Sequence, residues 1–367
     1  MTKTSATTVG FTLGKFAPLH AGHQALIETG LAETDRFIVL VYDAPEVTPV
    51  PLPVRVQWLR DLYPNIEVIA GWGGPSAVGD TPAIRALQEE FILKSLAGRR
   101  VTHFYCSEFY GEHVARALGA IDRRFDPSRE RVPVSGTAVR ADPIGLRDRV
   151  PPRVRWDLLT KVVFVGAPST GKTTLCSALA ERCGEPWAPE YGREYWARHQ
   201  IDRRLSPEQL VEIAVGHRAA EERLAADARN TLFVDTDAST TRIFAEDYHG
   251  GALPELDRLA AACGGRYDLT FLCADDIPYE DTADRSGAAH RAVFQRRIRA
   301  DLLARGRAFF TLRGSLEQRI DTAGAVMQNH RKWESLADRL WDGGQAAIAR
   351  QSGDGLSSFA GSAERPD

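Results

Sequence analysis

Two short runs rich in β-branched and aromatic residues, "VGFTLG" at 9–14 and "KVVFVG" at 161–166, each end on a glycine and lead through a polar turn into a helix-periodic stretch. Runs this short and apolar read as buried strands, and a strand that leaves through a glycine turn into a helix is the opening unit of a parallel sheet. The pattern continues between residues 9 and 106, where the strand-like "RFIVLVY", "IEVIA" and "VTHFYC" alternate with the helix-like "HQALIETGLAET", "VRVQWLRDLY" and "PAIRALQEEFILKSLA". After "KVVFVG" a helix is expected from about Lys172, with further strands at "TLFVD", "LTFLC" and "RAFFTL". The fold class is therefore α/β, with two parallel-sheet domains over 1–150 and 161–342. Between them, "DRVPPRVRWDLL" carries the paired prolines of a junction, so 151–160 is read as a linker. The stretch 343–367 is poor in bulky apolar groups and is expected to be a disordered tail.

Composition narrows the function classes. A formal net charge of -3 over 367 residues argues against bulk electrostatic attachment to nucleic acid or an anionic membrane, so any anion is bound locally. No apolar run reaches the roughly 18 residues of a membrane span. The N-terminal "MTKTSATT" lacks the apolar stretch of a signal peptide, and a cytoplasmic protein is expected. Five cysteines without a C-x-x-C pair read as reduced thiols. Only six of the 46 basic residues are lysines, and two of these, Lys15 and Lys172, fall in the glycine turns after the two opening strands. A compact ammonium in such a turn is placed to reach a phosphate.

The second turn, "GAPSTGKTT", fits G-x-x-x-x-G-K-[ST] through Gly166, Gly171, Lys172 and Thr173, and it lies between strand and helix as a P-loop requires. Its backbone N–H groups, with Ser169, Thr170 and Thr174 in the same loop and helix start, suit the phosphates of ATP, and Thr173 suits Mg²⁺. Asp235, at the end of "TLFVD", is the expected acidic partner on the Mg²⁺ side, whereas Asp237 reads equally well as a ligand or as a helix cap. The Arg-rich segment from Asp275 to Arg299 follows a strand and reads as a lid, with Arg285 singled out ahead of Arg291 to meet the transferring phosphate. "PWAPEYGREYW" sets Tyr191 and other aromatics around Glu190, Arg193 and Glu194, a composition suited to a cationic ring and a ribose. A core strand with a structural ion pair fits the same letters.

The first turn, "GKFAPLHAGH", holds His20 and His23 three apart. Zinc would require further ligands at suitable spacing, and a catalytic zinc helix would show H-E-x-x-H. An anion requires a strand, a Gly turn and polar groups at a helix start, and all three are present.

"GKFAPLHAGH" resembles the HxGH signature of the nucleotidylyltransferase superfamily, and "VSGTAVR" at 134–140 resembles its second signature, of the ISTxxR type. With the P-loop at 166 and the segments "CSEFYG" and "PEYGREYW", the order over about residues 9–330 resembles the NadR-like family, which joins nicotinamide mononucleotide adenylyltransferase to ribosylnicotinamide kinase. The resemblance implies a Rossmann-like nucleotidylyltransferase domain followed by a P-loop kinase domain. In the first, His20, His23, Lys15 and Arg140 would supply positive charge and positioning at the ATP phosphates, with Gly14, Phe16, Gly22, Ser135, Gly136 and Thr137 around them. In the second, Lys172, Thr173, Asp235 and Arg285 would serve γ-phosphoryl transfer with Mg²⁺. The proton acceptor is left open among Glu190, Glu194, Asp235 and Asp237. Trp72 in "GWGG" is a further candidate for stacking on the nicotinamide.

The implied partners are small molecules: ATP, ribosylnicotinamide, nicotinamide mononucleotide and the product NAD. The first strand begins near residue 9, so the helix-turn-helix of repressor forms of the family is not expected, nor is nucleic acid. A homo-oligomer is left open. The lid departs from the family pattern at Thr282 and Ala283, where an acidic-Gly pair is usual. That departure keeps open an adenylyltransferase whose P-loop domain only senses ATP. A fusion acting on another small nucleotide is the third reading.

Overall fold

The computed structural model describes residues 7–75, 79–108, 111–201, 204–278 and 288–334. Arg285, Thr282, Ala283 and the tail after 343 lie outside the described residues. In the first domain, β1 (Val9–Gly14), β2 (Arg36–Tyr42), β3 (Glu67–Gly71), β4 (His103–Cys106) and β5 (Ile121–Arg124) form one parallel sheet in the order β3-β2-β1-β4-β5. The crossovers are α1 (Ala21–Glu33), α2 (Leu52–Leu62), α3 (Pro82–Leu96) and α4 (Gly111–Leu118), and α5 (Gly136–Ala141) follows the last strand. Strand order reverses between β1 and β4. Their C-terminal ends therefore open a crevice, into which the N-terminus of α1 points. β5 reads "IDRR" and escapes sequence detection because an edge strand with one wet face carries no apolar run.

In the second domain, β6 (Thr160–Val165), β7 (Trp187–Ala188), β8 (Thr231–Asp235), β9 (Leu269–Cys273) and β10 (Phe310–Leu312) are again all parallel, ordered β10-β9-β6-β8-β7. β6 is central, flanked by β8 and β9, and is buried throughout beyond its first residue. It delivers the P-loop into the middle of the sheet, before α7 (Lys172–Cys183). The aromatic segment after β7 is mostly helix, α8 (Tyr191–His199), rather than strand. It packs on α9 (Pro207–Leu224), while α10 (Ala238–His249), α11 (Pro254–Ala261) and the short α12 (Cys263–Arg266) follow β8. α13 (Ala288–Ala304) precedes β10, and α14 (Leu316–Asn329) packs on α7. Each sheet is covered on both faces by apolar clusters, as parallel sheets require.

The segment expected as a linker is itself a helix, α6 (Pro152–Leu158), which starts with proline at a first-turn position. One side faces the first domain: Val154 is fully buried in its core, Trp58 Nε1 donates to Asp157 at 2.9 Å, and Arg153 pairs with Asp61 at 2.7 Å. Its Trp156 ring meets the second domain, with Lys161 Nζ 5.0 Å and the Arg266 guanidinium 4.5 Å from the centroid. After α14, Lys332 donates to the Leu159 carbonyl and pairs with Asp268 at 3.0 Å, and Trp333 packs against the first core. The paired prolines thus begin a docked helix. Among the described residues no helix is long and apolar enough to cross a membrane.

Candidate active sites

The first site forms where β1 ends. Lys15 and Phe16 make the turn, Phe16 with a φ of 47°, and His20 occupies the N-cap of α1. His20 Nδ1 accepts from the Gly22 N–H at 3.1 Å, and His23 Nδ1 accepts from the His20 N–H at 3.3 Å. This is a capping box built from two imidazoles. The rings stack with centroids 3.8 Å apart, and Phe16 lies against His23 at 4.6 Å. Gly22 suits this packing, because a Cβ there would sit a tight 3.1 Å from His20 Cε1.

With both Nδ1 atoms accepting, the proton of each neutral ring is on Nε2, which is left as the outward donor. Burial, reinforced by Arg129 and Arg140, pushes the His20 pKa from 6.5 down to about 4. Burial and the neighbouring His20 hold His23 well below its ordinary value. The pair therefore enters as neutral donors, where the resemblance implied positive charge. Charge comes from elsewhere. Lys15 and the exposed Arg140 belong to this region, and Arg129 on the cleft wall lies close enough to depress both histidines.

The second signature closes the cleft. Ser135 caps α5, its Oγ accepting from the Ala138 N–H at 3.1 Å, and Gly136 lines the cleft beside it. Arg140 reaches back to donate to the Ala17 carbonyl at 2.6 Å and to Thr137 Oγ1 at 3.2 Å, tying the two signatures together. Lys15 pairs with Glu46 at 2.9 Å, and Arg129 with Glu108 at 2.8 Å. Arg129 stands on a loop of positive φ whose N–H groups at Glu130, Arg131 and Val132 all bond the Asp126 carboxylate. Sequence reasoning missed it because its place depends on that cage. It also missed Arg55, 1% exposed, which donates to the carbonyls of Lys15, Tyr42 and Val50 and so fixes the turn from behind. Trp72 is 60% exposed in the turn after β3 and is not among the residues lining the cleft.

The second site follows β6. Gly166 takes a φ of 153° with no room for a side chain, since a Cβ would lie 2.8 Å from the Cys273 carbonyl oxygen. Ser169 and Gly171 have φ values of 61° and 77°, and Gly171 is the N-cap of α7 without any side-chain cap bond. Lys172 Nζ and Thr170 Oγ1 both donate to the Ala167 carbonyl, at 3.0 and 2.8 Å. The buried Arg319 bonds the Thr170 carbonyl at 2.8 Å, and Gln295 accepts from the Ala167 N–H at 2.8 Å. These two long-range contacts shape the loop and carry no local sequence signal.

Thr173 Oγ1 donates to Asp235 Oδ2 at 2.6 Å, while Asp235 Oδ1 is buried without a partner. Burial raises the Asp235 pKa against the opposing pull of Lys172. An orphaned buried carboxylate oxygen beside a threonine hydroxyl is a donor set that fits a hard divalent cation such as Mg²⁺. Asp237 is different. Its Oδ1 caps α10 through Ser239 and Thr240, and its Oδ2 pairs with the buried Arg307 at 2.6 Å. Arg307 keeps its carboxyl below the usual range despite complete burial. Both oxygens are committed, so Asp237 is structural.

Beyond the P-loop a largely apolar cavity extends between α8, α9 and α10. Glu190 and Arg193, 3.4 Å apart, stand on its wall with Lys172, and Trp196 and Tyr248 supply aromatic surface. Glu194 instead faces out and pairs with Arg198, and Tyr191 lies over Gly216. The fold thus brings Glu190 to the P-loop and leaves Glu194 outside. Arg291 also lines the cavity, donating to the carbonyls of Asp275 and Ile277.

Comparison with known proteins agrees with this division. Residues 11–142 match the cytidylyltransferase-like family, and residues 161–319 match an AAA domain family. The trifunctional NAD biosynthesis/regulator protein NadR of Escherichia coli is 26% identical over 318 residues, and that of Salmonella typhimurium 28% over 322. Each alignment covers 78% of this chain and 74% of the relative. Among solved structures, NadR in complex with NR aligns with a TM-score of 0.54 at 23% identity, covering 90% of this chain and 98% of that one. NadR with NAD and AMP-PNP aligns with a TM-score of 0.52 at 22% identity, covering 88% and 96%. The chain is thus similar to NadR over both of its halves, a cytidylyltransferase-like domain joined to a P-loop domain of the AAA type.

Proposed function

We propose that this protein carries out two ATP-dependent steps in series, phosphorylating ribosylnicotinamide in the P-loop domain (161–342) and adenylylating nicotinamide mononucleotide to NAD in the first domain (1–150). The observation that carries the reading is the pair of separate anion cradles, each at a helix N-terminus beyond the C-terminal end of a central parallel strand. Each step is matched to its own residues.

In the first domain the phosphate of the mononucleotide attacks the α-phosphorus of ATP, and the bond to the departing pyrophosphate breaks. The substrate is its own nucleophile, so the protein's task is alignment and stabilisation of charge on the leaving group. His20 and His23 serve through Nε2–H, and Lys15, Arg140 and Arg129 supply the positive charge, the two cations now paired with Glu46 and Glu108 exchanging carboxylate for phosphate. Ser135 and Thr137 stand at the α5 start for further hydrogen bonds.

In the second domain a ribose hydroxyl attacks the γ-phosphorus and ADP leaves. Lys172 and the loop N–H groups hold the phosphates. Thr173 and Asp235 would hold Mg²⁺, which when bound neutralises charge on the β- and γ-phosphates. Glu190, on the cavity wall, accepts the hydroxyl proton. Incubation with Mg²⁺-ATP and ribosylnicotinamide, following ADP, mononucleotide, pyrophosphate and dinucleotide separately, tests the proposal. ADP and mononucleotide should appear first, then pyrophosphate and NAD. Dinucleotide from supplied mononucleotide but none from ribosylnicotinamide would restrict the P-loop domain to another role.

A further inference from the structure

The cavity beside the P-loop contains a group of polar atoms that the phosphoryl chemistry does not use. His217 on α9 is 4% exposed and lines the cavity. Its Nε2 lies 3.2 Å from the Thr236 carbonyl oxygen, its Nδ1 has no partner, and the hydroxyls of Thr236 and Thr240 on the same wall have none either. Buried polar atoms are rarely left unpaired in a well-packed protein. Three together on the wall of one largely apolar cavity mark a place for a ligand's polar group.

The identity of that group follows from which proton the imidazole carries. A carbonyl only accepts, so the bond to Thr236 places the hydrogen on Nε2, and Nδ1 of the neutral ring is an acceptor. Glu221, 3.6 Å from Nε2, already accepts from Tyr267 at 2.8 Å and Arg266 at 2.7 Å and leaves the Nε2 proton to the nearer Thr236 carbonyl. The anchor is also a strained one. Thr236 has a φ of 72°, a costly conformation for a β-branched residue, at the corner between Asp235 and the cap residue Asp237. His217 therefore has a fixed ring, a fixed tautomer and one buried acceptor without a partner.

We propose that His217 is a specificity-determining residue of the kinase cavity, its Nδ1 accepting from a carboxamide N–H on the pyridine ring and thereby selecting the amide nucleoside over its carboxylate analogue. The two threonine hydroxyls, which both donate and accept, serve the amide oxygen. A carboxylate has no hydrogen to offer and would set an anion against the Nδ1 lone pair. The inference rests on the kinase reading of this domain and deepens it.

The test is kcat/KM for ADP release with ribosylnicotinamide and with nicotinic acid riboside, in the full chain and in two variants. The unmodified protein should favour the amide by about tenfold or more. His217→Gln keeps a donor near Nε2 for the Thr236 carbonyl but loses the Nδ1 acceptor, and the preference should fall toward one. His217→Asn places an oxygen near Nδ1 and should retain more of the preference while lowering kcat for both substrates. The ratio is internal to each protein, so a general loss of stability does not move it. If His217→Gln fails to fold, His217→Leu, which lacks the Nδ1 acceptor, replaces it with the same ratio and should also lower the preference. Equal use of the two nucleosides by the unmodified protein, or an unchanged ratio in the variant that lacks the Nδ1 acceptor, would overturn the inference alone. ADP release with neither nucleoside would overturn the kinase reading, and the inference with it.

Discussion

The two cradles begin from the same local plan and make their donors in opposite ways. At the start of α1, two imidazoles satisfy the first N–H groups and present Nε2–H farther out. At the start of α7, the N-cap is glycine with a positive φ, no side chain caps the turn, and the N–H groups themselves are left for an anion. The first cradle acts through side chains whose neutrality is enforced by burial. The second acts through backbone, with Lys172 as its buried cation. A helix N-terminus thus becomes a phosphate site either by leaving its orphan donors open or by relaying them.

Several substitutions would sharpen this contrast. Asp235→Asn removes the carboxylate opposite Thr173 and should lower ADP formation by roughly 10²–10³-fold, with pyrophosphate release retained, as single-turnover assays of each half would measure. Glu190→Gln should lower the same rate by about 10²-fold, whereas Glu194→Gln, on the exposed face, should change it little; equal losses would show that the proton acceptor is misassigned.

The histidine pair also sets a pH dependence. Because the folded-state value of His20 is depressed from 6.5 to about 4, the unfolded chain binds more protons between those values, and stability present above pH 6.5 is lost as the pH falls toward 4. The full shift corresponds to roughly 3 kcal/mol at pH 4 and below. Unfolding of the first domain in urea at pH 7 and pH 4.5 should show a loss of this order, reduced in His20→Gln; an equal loss in that variant would mean that other groups carry it. A smaller effect is expected at the other helix. Gly171→Ala forces an alanine to a φ of 77° and should cost about 1–2 kcal/mol in urea unfolding.

What could be read from sequence was local. β1, β6, the P-loop and the histidine pair are legible because strand, turn and helix start are contiguous and each residue's role depends on near neighbours. Asp237 was ambiguous for the opposite reason: its partner Arg307 is 70 residues away, and nothing in "DTDAST" announces it. Arg55, Arg129 and His217 owe their positions to carbonyls, a carboxylate cage and a cavity assembled from several elements. The choice of Glu190 over Glu194 depends on how α8 packs on α9, which a four-residue spacing does not reveal. α6 was masked by its prolines, which mark a helix start as readily as a break.

The most direct test of two independent cradles in one chain is a reciprocal pair of variants assayed in one reaction mixture with Mg²⁺-ATP. His20→Ala should lose pyrophosphate release from nicotinamide mononucleotide by about 10²-fold or more and keep ADP formation from ribosylnicotinamide. Lys172→Ala should do the reverse. Loss of both activities in both variants, with each protein folded, would contradict the account.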